Sequence, residues 1–251
     1  MRSMSLNAKL FISAMAVTGV AVIASGLMQW QCQDPVRFLS FLIVALIASR
    51  LKVKLPGTNG NMSVNLTLIL IALAVLSFSE TVLIAAAAAL IQGLPAAGKN
   101  LKPVQTLFNV STLVVAVAVA ILTYKYSAMV PSPAAKSLLI ALAGAAFLVA
   151  DTLPVAAVIS LTENLKLLTV WRDMLEMTFS YFALSASAAA VAATATRYVG
   201  WQTPLLVLPV MTASYFSYKR CFRSPTVVAV TNLQFSTLPS GAREQAEVEH
   251  F

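Results

Sequence analysis

The sequence predicts an all-α protein, a polytopic bundle of about eight transmembrane helices, and three observations predict it. Of 251 residues, 59% are hydrophobic and 10% charged, whereas a soluble domain runs at roughly 45–50% apolar and about 25% charged. Whole stretches such as Leu66 to Ser77 and Val110 to Thr123 are apolar all round rather than on one face, and lipid is the natural solvent for helices of that kind. The charge is confined to short links: the net charge of +8 comes from basic residues standing singly or in small groups between apolar runs. That placement reads as membrane topology, not as a nucleic-acid surface.

A hydrocarbon core of about 30 Å takes about 20 helical residues to cross, fewer where flanking residues snorkel. The first segment, 9–29, follows Arg2 and Lys9 and runs to Met28, with Trp30 at the position of an interfacial aromatic. Ala24 and Gly26 are small enough for a leader cleavage site, but the length of the run favours a retained span. The second, 36–50, ends in the basic link Arg50, Lys52 and Lys54. The third and fourth, 62–77 and 79–94, are short, and Ser77 to Glu80 leaves almost no link between them. An alternative is therefore a pair of re-entrant half-helices, leaving six full spans. The fifth to eighth segments fall at 103–123, 136–161, 174–196 and 203–218. This gives a bundle over 1–223 and a Ser-, Thr- and Pro-containing tail over 224–251, too short to bury a core of its own.

Eight segments with the amino terminus inside put Arg2, Lys9, Arg50, Lys52, Lys54, Lys99, Lys102, Lys166, Arg172, Lys219, Arg220, Arg223 and Arg243 on the cytoplasmic side. Only Arg37, Lys125, Lys136 and Arg197 fall outside. The excess of inside basic residues favours both termini in the cytoplasm, and treating segments three and four as one re-entrant hairpin leaves that parity unchanged.

The same residues exclude several chemistries. Two cysteines and one histidine are too few for a zinc or iron–sulfur centre, so neither metal nor cofactor is expected. His250 is penultimate, a poor place to hold a proton-transfer group. Cys32 and Cys221 are expected on opposite faces, out of reach of one another. No Ser/His or metal-ligand constellation is present, and no catalytic residue is expected.

Polar residues at membrane depth are the candidate ligand contacts. Asp151 lies mid-segment, three residues before Pro154, whose ring frees the carbonyl of Ala150 and favours a kink. A pairing role that holds the bundle together is the competing reading. The amides Asn65, Gln92, Gln105 and Asn109 lie at or near segment ends, where hydrogen bonds between helices are the first expectation and ligand contact the second. Glu80 follows Ser77 and Ser79 at the start of a helix, where capping is the first expectation. The link from Leu55 to Ser63 has the glycines of a phosphate loop but not its Gly-Lys-Ser/Thr ending, and is read as a turn. Alanines at 85–89 and 186–195 predict close helix packing and a possible homodimer face.

The run LKVKLPGTNGNMSVNLTLILIALAVLSFSETVLIAAAAALIQ with KPVQTLFNVS, then DTLPVAAVISLTENLKLLTVWRDM and GWQTPLLVLPVMTASYFSYKR, resembles the amino-terminal membrane module of bacterial signalling proteins that carry a cytoplasmic HD-GYP or GGDEF domain. The resemblance implies a non-enzymatic inner-membrane input module. Related modules more usually carry an amide at the place of Asp151, and the output domain expected after Tyr215 to Arg220 does not follow within these residues. Such a module is expected to act on a separate cytoplasmic output protein or as a homo-oligomer, with the lipid bilayer as its surroundings and no nucleic acid. The alternative class is a small-molecule transporter or the substrate-binding membrane subunit of an importer, for which short broken segments and an intramembrane acid are also suited.

Overall fold

The computed structural model describes residues 5–30, 32, 34–50, 52–54, 61–63, 65–94, 103–127, 133–199 and 209. The eighth predicted segment apart from residue 209, the tail, Cys221 and His250 lie outside them. Among the described residues the chain is helical apart from one small ribbon. The helices are α1 (Leu6–Met28), α2 (Pro35–Ala48), α3 (Leu66–Val75), α4 (Phe78–Gly93), α5 (Pro103–Ser127), α6 (Pro133–Glu163) and α7 (Leu167–Val199); strands β1 (Lys52–Lys54) and β2 (Asn61–Ser63) lie between α2 and α3. Leu6–Met28, Pro103–Lys125 and Leu138–Glu163 are long and apolar enough to cross a membrane; α2, α3 and α4 are shorter apolar helices.

The helix starts are legible in local chemistry. Ser5 caps α1, its hydroxyl accepting from the Ala8 N–H. Asp34 caps α2 by accepting from the Arg37 N–H, with Pro35 in the first turn, where its missing N–H is not needed. At α4, Ser77 and Glu80 form a reciprocal capping box: the Ser77 N–H donates to the Glu80 carboxyl at 2.9 Å and the Glu80 N–H to the Ser77 hydroxyl at 3.3 Å. Capping, the first expectation for Glu80, is thus what the structure shows.

The third segment needs two corrections. Its predicted first residues belong to β2, which pairs antiparallel with β1 in the register Lys52 to Ser63, Val53 to Met62 and Lys54 to Asn61, so the helix begins only at Leu66. And α3 is not solvated by lipid. Every residue from Leu66 to Leu73 is buried in protein, with α7 the main neighbour and α2, α4, α5 and α6 also in contact. A helix apolar all round is satisfied equally by lipid or by a ring of other helices. Ten residues rise only about 15 Å, half the hydrocarbon thickness, so α3 suits the second environment.

Pairwise contacts give the directions. The Ser79 hydroxyl donates to the Gln29 carbonyl at 2.9 Å and Gly26 faces Val82, so α4 runs back along α1. The Ser5 hydroxyl donates to Leu161 O at 3.3 Å, which brings the start of α1 to the end of α6. Trp171 meets Thr152, and Phe182 meets Gly144 and Phe147, so α7 runs antiparallel to α6. The α3–α4 joint therefore lies level with the far end of α1. Contact between α3 and α4 is slight beside that between α5 and α6, as in two helices that diverge from a tight corner. Followed along the chain, Lys9, Arg50, Lys52, Lys54, Lys166 and Arg172 fall toward one end of the bundle and Arg37, Lys125, Lys136 and Arg197 toward the other.

Small residues set the closest approaches. A Cβ on Gly19 would stand 2.5 Å from the Ser111 Cβ and 2.6 Å from its Cα, so α1 crosses α5 almost backbone to backbone. Ala85, Ala86, Ala88 and Ala89 are buried, as the alanine run predicts for close packing.

Candidate functional site

The polar groups inside the bundle fall into three places. The first is the corner where α1, α2 and α4 meet. Glu80 is buried there, and Cys32, in the link between α1 and α2, lies beside it as a free thiol. Burial pushes the Cys32 thiol above its ordinary value, and the nearby carboxyl groups of Glu80 and Asp34 push the same way through their negative charge. Trp30 and Phe38 close the corner edge to face, centroids 5.5 Å apart. Thiolate is the reactive form, so this environment makes Cys32 sluggish toward alkylation. In a Cys221→Ser background, Glu80→Gln is expected to raise the maleimide labelling rate of Cys32 at neutral pH roughly three- to tenfold, since it removes one of the charges that disfavour thiolate. Mass-spectrometric labelling kinetics measure this, and an unchanged rate would detach Cys32 from Glu80.

The second place is the root of the ribbon. Asn65 is buried at the start of α3, and its amide donates to the Ser49 hydroxyl, which itself donates to Ala45 O at 2.7 Å. This clasp joins the end of α2 to the start of α3 and so holds together the two ends of the segment that contains β1 and β2. Of the other amides, Gln92 is half-buried near the end of α4, whereas Gln105 and Asn109 are exposed on α5. Tight contact of Gly93 with Thr106 brings those two helix ends together.

The third place is the α6–α7 pair. Asp151 is half-buried on α6 and makes no hydrogen bond or ion pair among the described residues. Pro154 lies within the same continuous helix. The next residue, Thr152, is buried; its hydroxyl accepts from the Trp171 ring N–H at 3.0 Å and donates to Leu148 O at 2.7 Å. One turn before Asp151, Phe147 stacks on Phe182 of α7, centroids 6.2 Å apart. Another polar group without a hydrogen-bond partner among the described residues is the Thr112 hydroxyl, buried on α5.

The structure thus separates the sequence-predicted residues instead of gathering them: Glu80 at one corner, Asn65 at the ribbon, Gln92 near the end of α4, Gln105 and Asn109 exposed on α5, and Asp151 on α6. Sequence reasoning missed Cys32, Ser49, Thr152 and Trp171 as partners. For Trp171 the signal was present, since an indole among charged residues needs a partner for its N–H when it is drawn into a bundle. Ser49 carried no signal, because a serine before Arg50 reads equally well as the end of a helix. Among the described residues no group of three His, Cys, Asp or Glu side chains could hold a metal ion.

Compared with known proteins, residues 10–220 match the family model MASE9. No curated protein and no solved structure matches the chain.

Proposed function

The chain belongs to the MASE9 family, and MASE domains are membrane-associated sensory modules of signalling proteins; from that premise we propose that this bundle is a multi-pass input module of the bacterial inner membrane. In this reading it is non-enzymatic, has both termini in the cytoplasm and takes a small or lipophilic ligand beside Asp151. The match carries the sensory part, because residues 10–220 take in all of the described helices except the first turn of α1. Asp151 supports the ligand part. A carboxyl at membrane depth is costly unless something compensates it, and among the described residues nothing does. On the same helix, Phe147 one turn before the acid stacks on Phe182, and Thr152 next to it holds the Trp171 indole, so the α6–α7 pair that carries Asp151 also carries aromatic surface, a combination suited to a lipophilic ligand that carries a cation or a hydrogen-bond donor. The signal would pass to a separate cytoplasmic output protein of the HD-GYP or GGDEF kind, or through a homo-oligomer.

Asp151→Asn tests this, since it keeps the shape and removes the charge. Native mass spectrometry of the purified full chain is expected to show a small molecule retained by the wild type and reduced roughly tenfold or more in Asp151→Asn, the loss of one charge-assisted hydrogen bond. Asn109→Ala, at an exposed position, is expected to leave it unchanged. Equal retention of every ligand and protein partner by Asp151→Asn would remove Asp151 from the site.

A further inference from the structure

The end of the bundle at the α6–α7 turn carries apolar and basic residues in a pattern that the helical core does not explain. There the start of α1 is joined to the end of α6 by the hydrogen bond from Ser5 to Leu161 O. Around that junction Leu6 is 72% exposed and Leu168 72% exposed, with Leu10 and Leu165 also more than half exposed. Interleaved with them are Lys9 and Lys166, both exposed, and neither ammonium makes an ion pair or hydrogen bond among the described residues. The turn itself is well defined. Asn164 takes a left-handed φ of 57° and the Ser160 hydroxyl closes it by donating to Leu165 O at 2.7 Å.

Helix length places this junction at the membrane boundary. With 31 and 33 residues, α6 and α7 rise about 46 and 50 Å, against a hydrocarbon core of about 30 Å. The pair must therefore reach into a headgroup layer. At this end α7 carries Arg172, Asp173 and Glu176, all exposed, with Arg172 and Glu176 paired at 2.9 Å; side chains on a helix lean toward its amino-terminal end, so these long polar groups reach back toward the headgroup level of the turn. Four exposed leucines would be costly in water and at ease at the acyl boundary, while lysines beside them extend toward phosphate. Glu163 is the acid nearest the turn and is exposed as well. With Arg50, Lys52 and Lys54 toward the same end, positive charge still prevails.

We infer that the junction of the α1 start with the α6–α7 turn is a foot that binds anionic phospholipid headgroups, with Leu6, Leu10, Leu165 and Leu168 at the acyl boundary and Lys9 and Lys166 against the phosphates. A sensor anchored in this way has the α6–α7 hairpin, and with it the Thr152–Trp171 contact, coupled to the charge of the surrounding leaflet.

The test uses the full chain in nanodiscs of phosphatidylcholine alone or mixed with phosphatidylglycerol, with annular lipids counted by native mass spectrometry after gentle detergent release. The wild type is expected to retain phosphatidylglycerol over phosphatidylcholine, and the preference should fall as salt is raised. Lys9→Gln with Lys166→Gln should weaken it roughly fivefold per lysine. Arg37→Gln with Lys125→Gln, at the opposite end, should leave it intact. Absence of a preference in the wild type, a preference indifferent to salt, or one that survives in the Lys9/Lys166 variant would each overturn the proposal. So would its loss in the opposite-end variant alone. If the glutamine pair does not fold, Lys9→Ala and Lys166→Ala as single variants, read with the salt series, decide the same question.

Discussion

Replacing Gly19 with alanine is expected to destabilise the bundle by about 1–3 kcal/mol, and with leucine by more. The new Cβ would stand 2.5 Å from the Ser111 Cβ and 2.6 Å from its Cα, and a backbone atom cannot rotate out of the way as a side-chain end can. Association of helices in lipid gains little from apolar transfer, because the separated helices are solvated by hydrocarbon as well; close packing carries more of the energy. Forcing α1 off α5 therefore removes a larger share of the stabilisation than the same change would in a soluble core. Gly26→Ala is the control: its Cβ would meet Val82 at 3.5 Å, an ordinary contact, and the expected cost is under about 0.5 kcal/mol. Unfolding by sodium dodecyl sulfate in mixed micelles, followed by circular dichroism, measures both. Equal stability of the two alanine variants would rule out the α1–α5 crossing at this point.

Glu80→Ala is expected to cost about 1–3 kcal/mol in the same assay. Alanine leaves the Ser77 N–H without its acceptor at the start of α4, in a corner where Ser79, Glu80 and Thr81 are all buried. Glu80→Gln keeps an acceptor oxygen at the same reach and should recover at least half of the loss. Recovery separates a capping role from a role for the charge; a glutamine variant as unstable as the alanine variant would show that the charge itself is required.

Much of the architecture was readable from individual residues. Lys9, Arg50 and Lys166 on one hand and Arg37 and Lys125 on the other fall toward opposite ends of the bundle, as the charge pattern implies. Ser77 and Glu80, three residues apart before an apolar run, announce the cap that is found. The start of α3 was not readable. Met62 and Ser63 lead into an apolar run without a breaker, and nothing local says that they pair with Val53 and Lys52 in a ribbon. The candidate site was legible only in part. Asp151 stands out because a charge among apolar residues is conspicuous, but Trp171 and Phe182, which meet Thr152 and Phe147 on the same helix, come from α7, and no spacing within α6 names them.

By itself the sequence determined the environment and the helical character of this protein. Excess apolar residues in long uniform runs have too few polar positions to make a water-facing surface, and the basic residues mark the ends of the runs. Only the tertiary structure decided which apolar helix keeps a free surface and which is enclosed by protein. Leu66 to Val75 and Leu6 to Met28 look alike as sequence, yet α3 is enclosed by other helices while α1 leaves most of its surface free. Composition cannot separate these cases, since hydrocarbon and a packed helix surface are nearly equivalent to a leucine. The difference lies in how closely neighbours approach, and that depends on pairs such as Gly19 with Ser111, and Thr152 with Trp171, which only the folded chain brings together.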